Sequence, residues 1–337
     1  MAMTPSQADV VMTDGTARLL HFRKLSEIAG AQKPTVPVLL IPSLINRWYV
    51  LDLRSGSSLV EAFVDGGIDT FCLDWGVPED EDRYLQWADI INRLGRAVRR
   101  TCRETGSDRV ILLGYCMGGT LAGIYSALNP ERIAGLINLA GPFDFSCAGM
   151  LRDMVDSRWF DPRDITAPGN IAPLQMQSGF VAMRPTSQIA KFVGLLDRID
   201  DEMARESFAA LETWANDNVP FPAAAYVTYI RDLYQANDLV QGKHWVSGRR
   251  ADLSNIRCPV LTITATKDAI CPPDAALGLN RSCGSPDKQH LSVEGGHVGA
   301  VVGSKARRHL YPAAIEWVRR VGALPAAPHK HSSLAHG

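Results

Sequence analysis

Arg109-Val110-Ile111-Leu112-Leu113-Gly114-Tyr115-Cys116-Met117-Gly118-Gly119-Thr120 is the stretch whose reading decides the fold. An apolar, β-branched run is stopped by Gly and followed at once by helical spacing from Leu121 to Leu128. In that setting G-x-nucleophile-x-G forms a sharp elbow that thrusts one side chain out at the C-terminal edge of a sheet. Here that side chain is the thiol of Cys116. A Cβ at Gly114 or Gly118 is expected to collide with the neighbouring turn, because the elbow residue sits in a strained conformation. The helix starting at Met117 aims free amides at the sulfur, which favours a thiolate and later an oxyanion. Cys116 is the candidate nucleophile, so the remaining chain has to supply a base and an orienting acid.

Outward from the elbow, strands alternate with helices. Towards the N-terminus, Val10-Val11-Met12 and Ala17-Arg18-Leu19-Leu20-His21 are expected to pair as a hairpin across Asp14-Gly15. Pro37-Val38-Leu39-Leu40-Ile41-Pro42 reads as a strand covered on both faces, since its apolar run is continuous. Ser57 to Val64 reads as a helix, Thr70 to Trp75 as a strand, and Asp80 to about Thr105 largely as one amphipathic helix. Beyond the elbow come a strand over Ile133 to Leu139, another from Cys258 to Ala265, and a third over about Gln289 to Val293. A closing helix is expected from about Lys305 to Val321. This rhythm predicts an α/β fold with a mostly parallel, doubly wound sheet, whose ligands gather at the C-terminal strand edges.

The rhythm breaks after Gly141-Pro142-Phe143-Asp144. From 145 to 248 the chain is mostly helical and carries aromatics such as Trp159, Phe192, Trp214, Tyr229 and Tyr234, with no strand series. We expect this stretch to lie over the sheet edge as a helical cap, and most of its aromatics to form the cap's own core. The expected organisation is thus a discontinuous core over 8–144 and 249–322, a cap over 145–248, and a tail over 323–337 without core-forming pattern, expected to be disordered. The tail's His329, His331 and His336 are too widely spaced to read as a metal site.

Composition narrows the function. A 337-residue chain with 46% hydrophobic and 21% charged residues can bury a large core, and a formal charge of −1 gives no case for nucleic acid as a partner. No apolar run approaches a membrane span, and the first residues show neither a basic region nor an apolar signal core, so a cytoplasmic protein is expected. Seven scattered cysteines without C-x-x-C spacing argue against a disulfide framework or a zinc site.

Two further residues complete a catalytic set. Asp268 and His297 each fall just past the end of an expected strand, on the edge where the elbow opens, and the order Cys…Asp…His is that of the α/β-hydrolase triad. The residue types follow from the chemistry. A thiol with an ordinary pKa of about 8.5 is mostly protonated at neutral pH, and a positioned imidazole can take that proton. The acid fixes the imidazole's tautomer and stabilises its charged form. Gly295 and Gly296 leave room for the ring of His297 to reach the sulfur. Asp274 is the neighbouring acid, but after Pro272-Pro273 it reads as a helix-start residue, so Asp268 is preferred. For the oxyanion, the backbone amide of Met117 is one donor; the second comes from the loop after Ile41, assigned to Ile45 with Leu44 as the competitor.

With these residues in view the chain resembles the polyhydroxyalkanoate synthases, most closely the short catalytic subunit of the class III, two-subunit type. The resemblance is carried by Asn46-Arg47-Trp48-Tyr49, Asp74-Trp75-Gly76, the Cys116 elbow, Asp252-Leu253 with Ile256-Arg257-Cys258-Pro259-Val260-Leu261, Pro272-Pro273-Asp274-Ala275, and Gly295-Gly296-His297-Val298-Gly299 with Ser304-Lys305-Ala306. It implies an α/β-hydrolase core under a helical cap, with Cys116 as acyl acceptor, His297 as base and Asp268 as supporting acid. It also implies polymerisation of 3-hydroxyacyl-coenzyme A, a short-chain unit such as 3-hydroxybutyryl, into polyester, with no metal or redox cofactor. A second, non-catalytic synthase subunit, a homodimer and the surface of polyester granules are the partners and location it suggests. The chain departs from many members in carrying Ala269 where they have His after the triad Asp, and in a shorter region before the first core strands. The same fold and triad would also serve a thioesterase or esterase using water as acceptor, and the remaining alternative is a non-catalytic, granule-associated scaffold.

Overall fold

The structure is a computed structural model that describes residues 3–23, 36–183 and 200–324. Eight strands carry the fold: β1 (Ala8–Asp14), β2 (Ala17–Phe22), β3 (Val38–Ile41), β4 (Thr70–Asp74), β5 (Val110–Tyr115), β6 (Ile133–Leu139), β7 (Val260–Ala265) and β8 (Lys288–Val293). They lie side by side in the order β1-β2-β4-β3-β5-β6-β7-β8. The Asp14-Gly15 turn makes the expected antiparallel hairpin, with Asp14 opposite Ala17 and Gly15 at φ 60°. β2 pairs antiparallel with β4, and from β4 to β8 every pairing is parallel.

The apolar runs of the parallel strands have a simple cause: each strand feeds two cores. Val38 and Leu40 pack with Ile111, Leu113 and Ile137 on one face, against Leu59–Asp65 and Tyr311–Gly322. Leu39 and Ile41 pack with Leu112 and Leu136 on the other, against the helices Trp87–Thr105 and Met117–Leu128. Side chains alternate sides along a strand, so a sheet covered on both faces needs apolar residues at every position.

Local chemistry shifts several expected boundaries. Ser57–Ser58 pairs with Asp52–Arg54 as a short ribbon, and the helix begins one residue later, where the Ser58 hydroxyl accepts the Glu61 amide at 2.8 Å. The expected helix from Asp80 is two pieces, a 3₁₀ turn over Asp80–Tyr84 and an α-helix over Trp87–Thr105. The break is made by Gln86 and Asp89, which cap each other's backbone at a new N-terminus. The closing helix likewise opens with a π-helical turn, Ala306–Leu310, before Tyr311–Gly322.

Between β6 and β7 the described residues form the helices Met150–Met154, Pro162–Thr166, Pro173–Met183, Glu202–Asn216 and Ala223–Thr228, the last running into a π-helical turn over Tyr229–Gln235. A small hairpin, Trp245–Val246 with Arg249–Arg250, was not expected. Its turn residues Ser247 and Gly248 both have positive φ, the geometry of the tightest hairpin connection. Residues 184–199 of the expected cap and 325–337 of the expected tail, with its histidines, lie outside the described residues. No helix among the described residues is long and apolar enough to cross a membrane.

Candidate active site

β5 is fully buried and delivers Cys116 at φ 56°, ψ −129°, a conformation that costs a non-glycine residue about 1–3 kcal/mol. Backbone bonds on both sides hold it there. The Cys116 amide donates to the Leu139 carbonyl at 2.9 Å, and the Gly119 amide donates to the Cys116 carbonyl at 2.8 Å. The flanking glycines are needed for close approach: a Cβ on Gly114 would stand 2.3 Å from the Gly118 carbonyl oxygen, and one on Gly118 would stand 2.0 Å from that of Ile41. Gly118 therefore also locks the elbow against the end of β3.

The ends of β7 and β8 bring the other two groups together. The ladder between these strands continues into their loops, with the Thr266 amide on the Val293 carbonyl at 3.0 Å and the Lys267 amide on the Gly295 carbonyl at 2.8 Å. Asp268 and His297 are held by this zipped pair of loops. One carboxylate oxygen of Asp268 accepts the Ile270 and Cys271 amides, each at 2.9 Å, and the other meets His297 Nδ1 at 2.7 Å. Both side chains are buried. Burial alone would lower the pKa of the imidazole. Interaction with the neighbouring Cys116 sulfur and the bond to Asp268 override that effect and push His297 up from 6.5 to about 10. The ring is thus anchored by the carboxylate, and its environment is felt from the side of the Cys116 sulfur. Asp274 stands apart from this pair, in the first turn of the helix Pro273–Ser282.

Cys116, Met117 and Ile45 line one cavity of about 260 Å³ that extends among residues 145–248, where Val155, Phe160, Met176 and Phe180 make it apolar. Leu44 is buried outside that lining. Few side chains offer polarity inside: Gln175, whose carbonyl oxygen already accepts the Ala172 amide, and the phenols of Tyr226, Tyr229 and Tyr234.

Three features of the site go beyond the residues that the sequence singles out. The ring of Tyr115 stacks on His297, with centroids 5.2 Å apart and planes 28° from parallel, and its hydroxyl is buried without a partner among the described residues. Its place directly before the nucleophile was the available clue. Asn138, wholly buried on β6, accepts the Gly141 amide and donates to the Gly141 carbonyl, shaping the turn against which Gly119 packs. Finally, the loop after β3 is strapped to residues 214–219. The Ile45 carbonyl accepts the Val219 amide, the Arg47 carbonyl accepts the Trp214 indole N–H at 2.9 Å, Asn46 donates to Asn218, and the Tyr49 hydroxyl donates to Asp217 at 2.6 Å. On the sheet side the same loop is pinned by the Trp75 indole, which donates to the Pro42 carbonyl at 3.0 Å.

Comparison with known proteins gives the fold and the family of the chain. Residues 36–304 match the alpha/beta hydrolase fold family, and residues 1–63 match the family described as the poly-beta-hydroxybutyrate polymerase (PhaC) N-terminus. The poly(3-hydroxyalkanoate) polymerase subunit PhaC of Allochromatium vinosum is 34% identical over 89% of this chain and 85% of its own length. The protein of that name from Haloferax mediterranei is 32% identical over 93% of this chain, which spans only 63% of that relative. Among solved structures, a soluble variant of monoglyceride lipase from Saccharomyces cerevisiae superposes with a TM-score of 0.57 at 14% identity, covering 94% of this chain and 97% of the lipase. A thermophilic esterase from Thermogutta terrifontis gives 0.53 at 17% identity, over 94% of this chain and all of the esterase. At such identities these two structures speak for the fold alone.

Proposed function

The chain belongs to the PhaC family of poly(3-hydroxyalkanoate) polymerases, built on the alpha/beta hydrolase fold, and from that membership we propose that it polymerises 3-hydroxyacyl units, of the size of 3-hydroxybutyryl, from their coenzyme A thioesters. What supports this reading is the buried Asp268–His297 pair together with Cys116, which lines an apolar cavity. In the first half-reaction the Cys116 thiolate attacks the thioester carbonyl. The oxyanion that forms is held by the Met117 and Ile45 amides, neither of which donates to a protein acceptor among the described residues. The carbon–sulfur bond to coenzyme A then breaks, and the leaving thiolate takes the proton held by His297. In the second half-reaction the hydroxyl of another hydroxyacyl unit gives its proton to His297 and attacks the Cys116 thioester. An ester bond forms and the Cys116 sulfur leaves as thiolate.

Cysteine suits this exchange because the acyl group stays a reactive thioester between steps, whereas the apolar lining disfavours water as a rival acceptor. The described residues of 145–248 act as the cap that supplies most of this lining. We assign the remaining members of the reading by family: a second, non-catalytic subunit, a homodimer, and work at the surface of the polyester granule.

The test is a product analysis. The protein is incubated with 3-hydroxybutyryl-coenzyme A, alone and with a candidate second subunit, and coenzyme A release is matched to product. Polymer or oligomer is expected. Free 3-hydroxybutyrate as the sole product would replace the polymerase reading with a thioesterase, and an absence of acyl adduct on Cys116 would remove the enzyme reading altogether.

A further inference from the structure

The cavity beside Cys116 is apolar, yet the acyl unit proposed for it carries a hydroxyl. Burying a hydroxyl without a partner costs about 1–3 kcal/mol, so a site for hydroxyacyl groups has to offer one. Gln175 spends its carbonyl oxygen on the Ala172 amide, a bond that folds its side chain back onto the start of its own helix. The remaining candidates, Tyr226, Tyr229 and Tyr234, sit on one continuous stretch that changes from α-helix to π-helix at Tyr229. A π turn inserts a residue and rotates the rest of the helix about its axis, a device common at functional sites. Here it brings Tyr229 and Tyr234, five positions apart, together on the cavity wall, edge to face with ring centroids at 5.3 Å.

The rings are firmly placed. Phe145 packs edge-on against Tyr234 at 4.8 Å and against Tyr229 at 6.0 Å, and Trp87 stacks on Tyr229 at 5.5 Å. Tyr229 is enclosed by the rings of Trp87, Phe145, Phe221 and Tyr234, whereas Tyr234 meets only Phe145 and Tyr229 among the described rings, which leaves its phenol the freer of the two to face a ligand. Burial raises the pKa of both phenols, so both stay protonated donors. Tyr115 offers a contrast: its hydroxyl is also buried, but its residue does not line the cavity.

We propose that Tyr234, steadied by Tyr229, is the residue that binds the 3-hydroxyl of the acyl unit held at Cys116. This rests on the polymerase reading and deepens it: the pair makes the pocket selective for hydroxylated acyl groups over plain ones of the same length. A site built to bond a hydroxyl discriminates against the analogue lacking it, because the protein's own polar group is then left without a partner.

The experiment separates this role from the chemistry. In Cys116→Ala full-length protein, affinities for 3-hydroxybutyryl-coenzyme A and for butyryl-coenzyme A are measured by calorimetry. The hydroxylated ligand is expected to bind about five- to tenfold more tightly, the worth of one net hydrogen bond. Adding Tyr234→Phe, which keeps the ring and its packing, should bring that ratio close to one while leaving the butyryl affinity unchanged. Tyr229→Phe should lower the ratio only in part. A ratio that survives Tyr234→Phe, a ratio of one from the outset, or an equal fall for both ligands would overturn the proposal. The polymerase reading is judged separately, by coenzyme A release from 3-hydroxybutyryl-coenzyme A in the protein with Cys116 intact, so the two failures cannot be mistaken for one another.

Discussion

The strand-end loops and the helical insertion make the two sides of one cavity by opposite means. On the sheet side positions are fixed by backbone touching backbone: Gly114 against Gly118, Gly118 against the end of β3, Gly141 against the Cys116 carbonyl and Gly119. On the insertion side they are fixed by side-chain volume, with short helices that present Met154, Ile165, Met176 and Phe180 to the cavity. Backbone contacts leave no slack, whereas packed side chains can be exchanged for others of similar size at modest cost. The difference suggests a division of labour in which the sheet edge fixes the chemistry and the insertion sets what is admitted to it.

The sharpest way to break that contrast is Gly118→Ala. The added methyl would lie 2.0 Å from the Ile41 carbonyl oxygen and 2.7 Å from that of Pro42, and neither backbone atom can rotate away. A loss of about 3 kcal/mol or more in unfolding free energy is expected, together with loss of acyl transfer. Denaturant titration reads it directly. A midpoint equal to that of the unsubstituted protein would mean that the elbow is more pliable than its contacts imply.

The same contrast explains how much could be read beforehand. The elbow was legible because close approach demands glycine at fixed positions, and glycine is visible in a sequence. Asp268 and His297 were legible because strand ends are, and the fold places strand ends on one edge. The π turns at Tyr229–Gln235 and Ala306–Leu310 were not, since an inserted residue in a helix is dictated by tertiary packing and leaves no local mark. Nor was the strap, whose partners Asn46 and Asn218 are 172 positions apart. The stacking of Tyr115 on His297 was hidden for the same reason: it is a contact between a strand end and a distant loop, not a property of either segment.

A second substitution sharpens the role of the rigid side. Asp268→Asn keeps the shape but removes the charge that selects the His297 tautomer, and is expected to lower single-turnover coenzyme A release by about 10²- to 10⁴-fold. A pH titration of stability should accompany it. His297 is raised from 6.5 to about 10 in the folded protein, so its contribution to stability is complete below about pH 6.5 and is lost as pH rises through 10. The unsubstituted protein should therefore weaken over that interval, and Asp268→Asn should weaken less because one source of the raised value is gone. Identical pH profiles would show that the carboxylate does not support the charged ring.

The smallest expected effect tests the seam between the two sides. Trp214 donates its indole N–H to the Arg47 carbonyl, two residues from the Ile45 amide proposed for the oxyanion. Trp214→Phe removes that bond and keeps most of the aromatic packing, at a cost of about 1 kcal/mol in stability. What distinguishes the possible roles is how the kinetics divide. If the strap merely holds the insertion over the cavity, substrate binding weakens and KM rises while kcat holds. If it fixes the Ile45 amide, the oxyanion is stabilised less only in the transition state, and kcat falls about three- to tenfold with KM unchanged. We expect the second result, because Ile45 itself is tied to the insertion through its carbonyl and Val219, so that the amide on the same residue inherits the position of that bond. The volume-built side would then contribute to the chemistry at one point, through a backbone contact of the kind that governs the sheet edge.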